Sequence, residues 1–232
     1  MEQGVHLKFL LTILLSLSLF AAQSTIVKIT GNGATIDPVN LPKGTSGIVI
    51  HHFDQTHSTI VARAILQDSS HIKFDVYDAL RQPNLPRPNI KPQVGDSVIL
   101  GYLYDRAIII APNYTTYEQI ANKVHLDLVH PDLFAAELSK AKEPAPRKKD
   151  FRNFCNKFAL AKVIIALKNE AKVLDCYSFS TIDTLPIQSD ANNVKKPFYT
   201  RLRKIPGSIF SFFGSDTIDN YFNYYTRLVE GR

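Results

Sequence analysis

The 232-residue sequence predicts an α+β protein: a small N-terminal β-barrel or sandwich followed by an α/β domain with helices on a short antiparallel sheet. Three observations predict it. Residues 25–112 carry short apolar runs broken by close turn signals, the pattern of a small all-β unit. Residues 114–160 change to helical spacing, and residues 162–180 read as two strands around one turn. The expected division is 1–24 as a signal peptide, 25–113 as the β domain and 114–232 as the α/β domain. With 45% hydrophobic and 21% charged residues, the composition excludes wholesale disorder, collagen and coiled coil.

The leader comes first. Lys8 precedes the apolar run Phe9 to Ala22, which is shorter than the about 20 residues of a membrane-spanning helix. It fits the apolar region of a secretory signal, and the small residues of Ala22-Gln23-Ser24 place cleavage near Ser24. An uncleaved anchor is the alternative. No cysteine follows the run to accept a lipid, and no second apolar segment of spanning length follows it. The expectation is an exported protein, in the periplasm, outer envelope or at the cell surface, with no membrane span after cleavage.

In the β region, Ile26 to Thr30 is a short strand and Gly31-Asn32-Gly33 a turn that tolerates positive φ. Gly47 to Phe53 and Ser58 to Gln67 form a second pair around Asp54-Gln55-Thr56-His57. His71 to Asp78 alternates apolar and polar, as a half-buried strand does. Prolines 83, 86, 88 and 92 make residues 82–93 stiff and extended. Ser97 to Tyr104 and Ala107 to Ala111 complete the region.

The helices carry recognisable ends. Thr115 or Thr116 is the expected cap of a first helix running to about Val124. His130-Pro131-Asp132 opens a second, with proline at the first helical position and an acid against the positive end of the dipole. Pro144 and Pro146 stop it, and Asp150 is placed to cap a third. Lys162 to Leu167 then reads as a buried strand that turns at Lys168-Asn169-Glu170 and returns through Ala171 to Ser180. Residues 186–197 read as irregular. A last helix is expected from Ser215 or Asp216 through Tyr225 and Leu228.

Two basic clusters occur, one at Lys140, Lys142, Arg147, Lys148, Lys149 and Arg152, the other at Lys195, Lys196, Arg201, Arg203 and Lys204. The net charge is +6, but these positions read as solvated loops and helix ends rather than a nucleic-acid surface. His51, His52 and His57, with Asp54, surround one turn. Adjacent strand residues face opposite sides, so His51 and His52 do not share an ion, and turn hydrogen bonding is the favoured reading over a metal. No nucleophile motif and no complete phosphate loop is present, and no cofactor is implied.

Cys155 and Cys176 are the two cysteines. In an exported chain they suggest one disulfide. If the hairpin turns near Asn169, Cys176 falls opposite about Lys162, so the bridge would staple the third helix to the sheet; two buried thiols are the alternative. The C-terminal aromatics Phe210, Phe212, Phe213, Tyr221, Phe222, Tyr224 and Tyr225 read as a helix packed on the sheet, with hydroxyls at its edge, in preference to a partner-binding surface.

Several blocks together resemble a known family. They include His51-His52-Phe53-Asp54 with His57 to Ala64, Gly95-Asp96-Ser97-Val98, Leu103-Tyr104-Asp105-Arg106-Ala107, His130-Pro131-Asp132-Leu133-Phe134, Phe154-Cys155, and Phe213-Gly214-Ser215 ahead of Tyr221. In order, over almost the whole mature chain, they resemble the plasminogen-binding protein N-terminal domain family of epsilon-class proteobacteria. The resemblance implies an exported, non-enzymatic protein that captures host plasminogen. Kringle modules hold a lysine ammonium between carboxylates over an aromatic trough, and a C-terminal lysine suits them because it offers cation and carboxylate together. Family members credited with the activity carry a lysine-rich tail ending in Lys, whereas this sequence ends at Gly231-Arg232. The candidates are therefore Arg232 and internal mimics, Lys168 near Glu170 or Lys148-Lys149 beside Asp150. A structural or assembly component of the envelope, with an envelope protein as partner and no plasminogen role, is the alternative. A hydrolase is a third.

Overall fold

A computed structural model of the chain describes residues 21–79, 89–202, 205–206 and 218–231. Most of the proline-rich stretch and the expected helix start at Ser215 or Asp216 lie outside the described residues, as do Phe210, Phe212, Phe213, Arg203, Lys204 and Arg232.

Six strands form the first unit: β1 Ala22–Thr30, β2 Gly33–Ile36, β3 Ser46–His52, β4 Ser58–Asp68, β5 His71–Asp75 and β6 Ser97–Leu100. Their order, β1-β2-β5-β4-β3-β6, closes a barrel whose neighbours are all antiparallel. Period-two alternation fills it. Ala62, Ala64 and Leu66 of β4 point inward to meet Ile26, Ile36, Val49, Val98 and Leu100, all buried. The barrel closes where Ala22, Gln23 and Ser24 pair with Leu100, Ile99 and Val98. Ser24, the residue at which the sequence places the end of the leader, is thus the third residue of β1, and its hydroxyl donates to Asp37 O at 2.8 Å.

The second unit contains β7 Arg106–Ile110, α1 Tyr114–Ala121, β8 Asp127–Val129, α2 Pro131–Ala141, α3 Lys148–Phe158, β9 Lys162–Ala166, β10 Glu170–Asp175, β11 Thr181–Pro186 and α4 Tyr221–Glu230. Its sheet has the order β11-β10-β9-β7-β8. β7 runs parallel to both β8 and β9, while β9, β10 and β11 are antiparallel. The expected antiparallel sheet is therefore a mixed one. The reason lies in the connections. α1 carries the chain from β7 back to a parallel β8, and α2 with α3 carries it to a parallel β9 on the other side of β7.

The same topology moves β7 out of the β region in which the sequence reading put it. Ala107 to Ile110 is apolar without alternation because both faces of β7 are covered. Ile108, Ile110, Val163 and Ile165 face the core built with α2, α3 and α4, and Ala107, Ile109, Ile164 and Ala166 face the core that includes Ile120 of α1.

Helix ends follow the local chemistry with two adjustments. Asn113, not a threonine, caps α1 by accepting from Thr116 N. α3 starts two residues ahead of Asp150, which sits at the third helical position and accepts from Arg147 N at 2.8 Å. α2 opens as expected, with His130 as cap and Pro131 first. It ends at Lys142, in the left-handed conformation, before either proline. α4 is capped by Asn220 and packs on the sheet. Tyr221 and Tyr225 are fully buried rather than carrying their hydroxyls to an edge, and Tyr221 Oη lies 2.9 and 3.0 Å from Ile110 O and Ala166 O at the ends of β7 and β9. Among the described residues no helix is long and apolar enough to cross a membrane.

Candidate functional site

The barrel and the sheet meet along β3, β4 and the loop after β10, and the polar chemistry of the molecule concentrates there. Arg63 lies in β4 between Ala62 and Ala64, both inward, so its side chain leaves the barrel on the outer face. That face is covered by the second unit, and Arg63 is only 4% exposed. Its guanidinium carbon lies 3.3 Å from the Tyr177 ring centre and 5.2 Å from that of Tyr77. Arg63 Nη2 donates to Asn156 Oδ1 at 3.3 Å, and Asp78 Oδ1 is 3.9 Å away. Burial pushes the Tyr177 phenol up in pKa, with the neighbouring guanidinium opposing. Its hydroxyl donates to Leu160 O at 3.1 Å.

Beside this stack sits a buried carboxylate. Asp175, at the end of β10, accepts on Oδ2 from Ser46 Oγ at 2.5 Å, Ser46 N at 3.0 Å and Tyr104 Oη at 2.7 Å. Oδ1 accepts from the backbone N–H groups of Tyr177 at 2.9 Å and Ser178 at 2.7 Å. Ser178 Oγ in turn donates to Gly44 O at 2.7 Å. Gly44 has φ +89°, and a Cβ there would collide with the Ser180 side chain. Burial and the Asp175 carboxylate together raise the Tyr104 pKa well above 10. Ser46, Tyr104 and Asp175 are all buried, and the network ties the two units together.

The sequence-selected residues fall elsewhere. Cys155 and Cys176 are joined in a disulfide with Cα atoms 6.3 Å apart, linking α3 to the end of β10. The register places Asp175 against Lys162, and Cys176 N donates to Ala161 O at 2.9 Å, one residue from the expected pairing. Lys148 and Lys149 occupy the first two positions of α3 and are exposed. Lys148 Nζ lies 5.3 Å from the Phe179 ring centre, while Lys149 Nζ is 4.0 Å from Glu143 Oε1. Asp150, the carboxylate first paired with these lysines, is held by the cap of its own helix. Lys168 is exposed on the β9–β10 turn, but the Glu170 carboxylate is engaged by Lys172 Nζ at 2.8 Å. Arg232 lies outside the described residues.

The histidines do not converge. His51 Nδ1 bonds Asp96 at 2.8 Å, and His57 Nδ1 bonds Asp54 at 2.8 Å on the exposed turn. Hydrogen bonds from Thr56 N, the His57 ring and the Thr56 hydroxyl hold the Asp54 carboxyl at about 2. Arg63, Tyr177 and Asp175 went unselected as site residues in the sequence. An arginine between two inward alanines is the one available sign, and it cannot reveal that another unit covers the outer face.

A small closed barrel docked through buried ionic groups onto a mixed sheet, with a basic helix start on the surface, defines a two-unit α+β scaffold. The chain belongs to the plasminogen-binding protein pgbA N-terminal family, whose model matches residues 21–229. The plasminogen-binding proteins PgbA of Helicobacter pylori strains J99 and 26695 are each 27% identical over 197 residues, covering 82% of this chain and 43% of theirs. The chain thus matches less than half the length of these relatives. No solved structure matches it.

Proposed function

We propose that the chain is an exported, non-enzymatic envelope or surface protein that captures plasminogen through exposed lysines at the start of α3, with Lys149 as the principal contact. Membership of a family whose relatives are named for plasminogen binding supports the ligand, and the leader-like N-terminus supports export. One observation carries the choice of residue. Lys149 is 60% exposed with Glu143 Oε1 4.0 Å from its ammonium, and although Arg147 Nη2 holds that oxygen at 2.6 Å, the arrangement sets an exposed cation beside a carboxylate, as a C-terminal lysine does. Lys148 and Lys149 also sit at the positive end of the α3 dipole, a placement that opposes helix stability by about 0.3–1 kcal/mol each.

The test is plasminogen capture by the purified chain freed of its leader, read by surface plasmon resonance at physiological salt. Capture is expected to be reversed by the lysine analogue 6-aminohexanoate. Lys149→Ala is expected to weaken it about tenfold, equivalent to one charge-assisted hydrogen bond. Lys149→Arg is expected not to restore it, because a planar fork replaces a compact ammonium. Absence of capture would end this reading and favour the structural or assembly role, which a salt-resistant envelope partner in pull-downs from whole cells would then support.

A further inference from the structure

Between the two units lies a cavity of about 190 Å³, bounded by β3 and β4 on one side and by α3 and Tyr177 on the other. We propose that it binds a small organic acid, a carboxylate carried on an aromatic or apolar body.

Among the described residues Arg63 is the cation lining this cavity, and no carboxylate described there makes a hydrogen bond to it. A guanidinium removed from water requires an anion and partners for its five N–H groups. Its described partners are the Asn156 amide oxygen at 3.3 Å, the Tyr177 hydroxyl, and a carboxylate oxygen at 3.9 Å, the last beyond hydrogen-bond distance. That carboxylate, on Asp78, instead accepts from Asn156 Nδ2 at 2.8 Å. The Tyr177 ring fixes the plane of the fork, as bidentate carboxylate recognition requires.

The other walls set the body of the ligand. Tyr77, Tyr102, Tyr177, Ile48 and Leu103 present rings and aliphatic surface. Leu103 adopts φ +61° in the turn between β6 and β7, a strained conformation for a bulky residue, and it stands at the cavity wall. The volume exceeds by far the about 15 Å³ that one water occupies on this measure. One positive charge matches a monoanion. A phosphate dianion would need a second cation or a run of backbone N–H donors, and the described lining residues include no other Lys or Arg.

The experiment titrates the whole chain, freed of its leader, with phenylacetate, phenylacetamide and inorganic phosphate, using calorimetry and chemical-shift changes. Phenylacetate is expected to bind about tenfold or more tightly than its amide, the difference one charge-assisted pair makes. Arg63→Gln is expected to remove that difference. Tyr102→Ala, at the half-exposed rim, is expected to weaken the acid severalfold while leaving the acid-over-amide preference intact. Should Arg63→Gln fail to fold, the comparison of acid, amide and phosphate on the unmodified chain decides. Equal binding of acid and amide, phosphate binding as tight as phenylacetate, or no acid binding at millimolar concentration would each overturn the proposal. The tripeptide Gly-Gly-Phe and its C-terminal amide separate the two natural sources: a tripeptide acid tighter than phenylacetate points to protein C-termini, and a weaker one to free organic acids.

Discussion

The hydroxyl of Ser46, at the start of β3 in the barrel, donates to the carboxylate of Asp175, at the end of β10 in the sheet, across 129 positions of sequence at 2.5 Å. Five donors converge on Asp175, and three of them come from Ser46 and Tyr104. Docking of the units therefore brings three hydrogen bonds from Ser46 and Tyr104 onto one buried carboxylate. Asp175→Ala leaves these donors unmet and is expected to cost about 3 kcal/mol or more. Ser46→Ala removes one charge-assisted bond and is expected to cost about 2 kcal/mol. In the Asp175→Ala background the serine change should cost little, because its acceptor is already gone. Urea unfolding of the two single variants and the double variant measures the coupling; additive losses would show that the bond does not link the units.

Why this junction was illegible in the sequence, while the disulfide beside it was not, comes down to range. Cys155 and Cys176 could be brought together by a hairpin register, which turn position and strand length fix locally. The barrel was legible from short strands with close turns, and α2 from His130 and Pro131. β8 and β11 were missed because one has three residues and the other is a half-exposed edge strand ending in proline. The parallel pairing of β7 was missed because an unalternating apolar run does not say which sheet will cover both its faces. Arg63 and Asp175 are polar residues whose burial is decided by elements far along the chain.

The start of β1 yields a second expectation. Ala22, Gln23 and Ser24 supply three of the four registered pairs that close the barrel onto β6. A chain starting at Thr25, as cleavage after Ser24 would leave it, keeps one of those pairs and exposes the backbone edge of β6. It is expected to melt several degrees below a chain starting at Ala21, and to aggregate more readily. Thermal denaturation of the two purified chains checks this; equal melting temperatures would show that closure contributes nothing.

Acid sensitivity should localise to the α2 start. Burial raises the Asp132 pKa, but hydrogen bonds from Arg201 N, the Arg201 side chain and the Thr200 hydroxyl, with the His130 charge, outweigh it and hold the carboxyl at about 2 against an ordinary 3.8. His130 is lowered from 6.5, by burial first, with Asp132 opposing and Arg201 assisting. In both groups the unfolded chain binds protons first, so both contributions are present at neutral pH and fade on acidification. The histidine part is lost below about pH 6.5 and the aspartate part between about pH 4 and 2. The guanidinium of Arg201 is mostly in water, so the loss is smaller than the shift alone implies. Tyr117 and Tyr199 lie against His130, so the ring chemical shifts of these three residues follow the segment through the titration. Asp132→Asn is expected to flatten the transition below pH 4. An unchanged profile would place the acid response elsewhere.

Two tyrosines one turn apart on α4 should respond to the same atomic deletion with opposite signs. Tyr221 and Tyr225 are both buried, and their rings meet at 4.6 Å between centres. The Tyr221 hydroxyl shares its proton between Ile110 O and Ala166 O, which pins the helix to the ends of β7 and β9. The Tyr225 hydroxyl is buried without a hydrogen-bond partner among the described residues. Burial drives both phenols well above 10, so neither ionises at neutral pH to gain solvation. Tyr221→Phe is expected to lose about 1 kcal/mol with its bond. Tyr225→Phe relieves an unmet polar group and is expected to gain about 1 kcal/mol, since the ring and its packing are kept. Urea midpoints of the two variants, with equal slopes, decide it. A loss at Tyr225 as large as at Tyr221 would mean that its hydroxyl has a partner in solution, and both buried hydroxyls of α4 would then hold the helix in place.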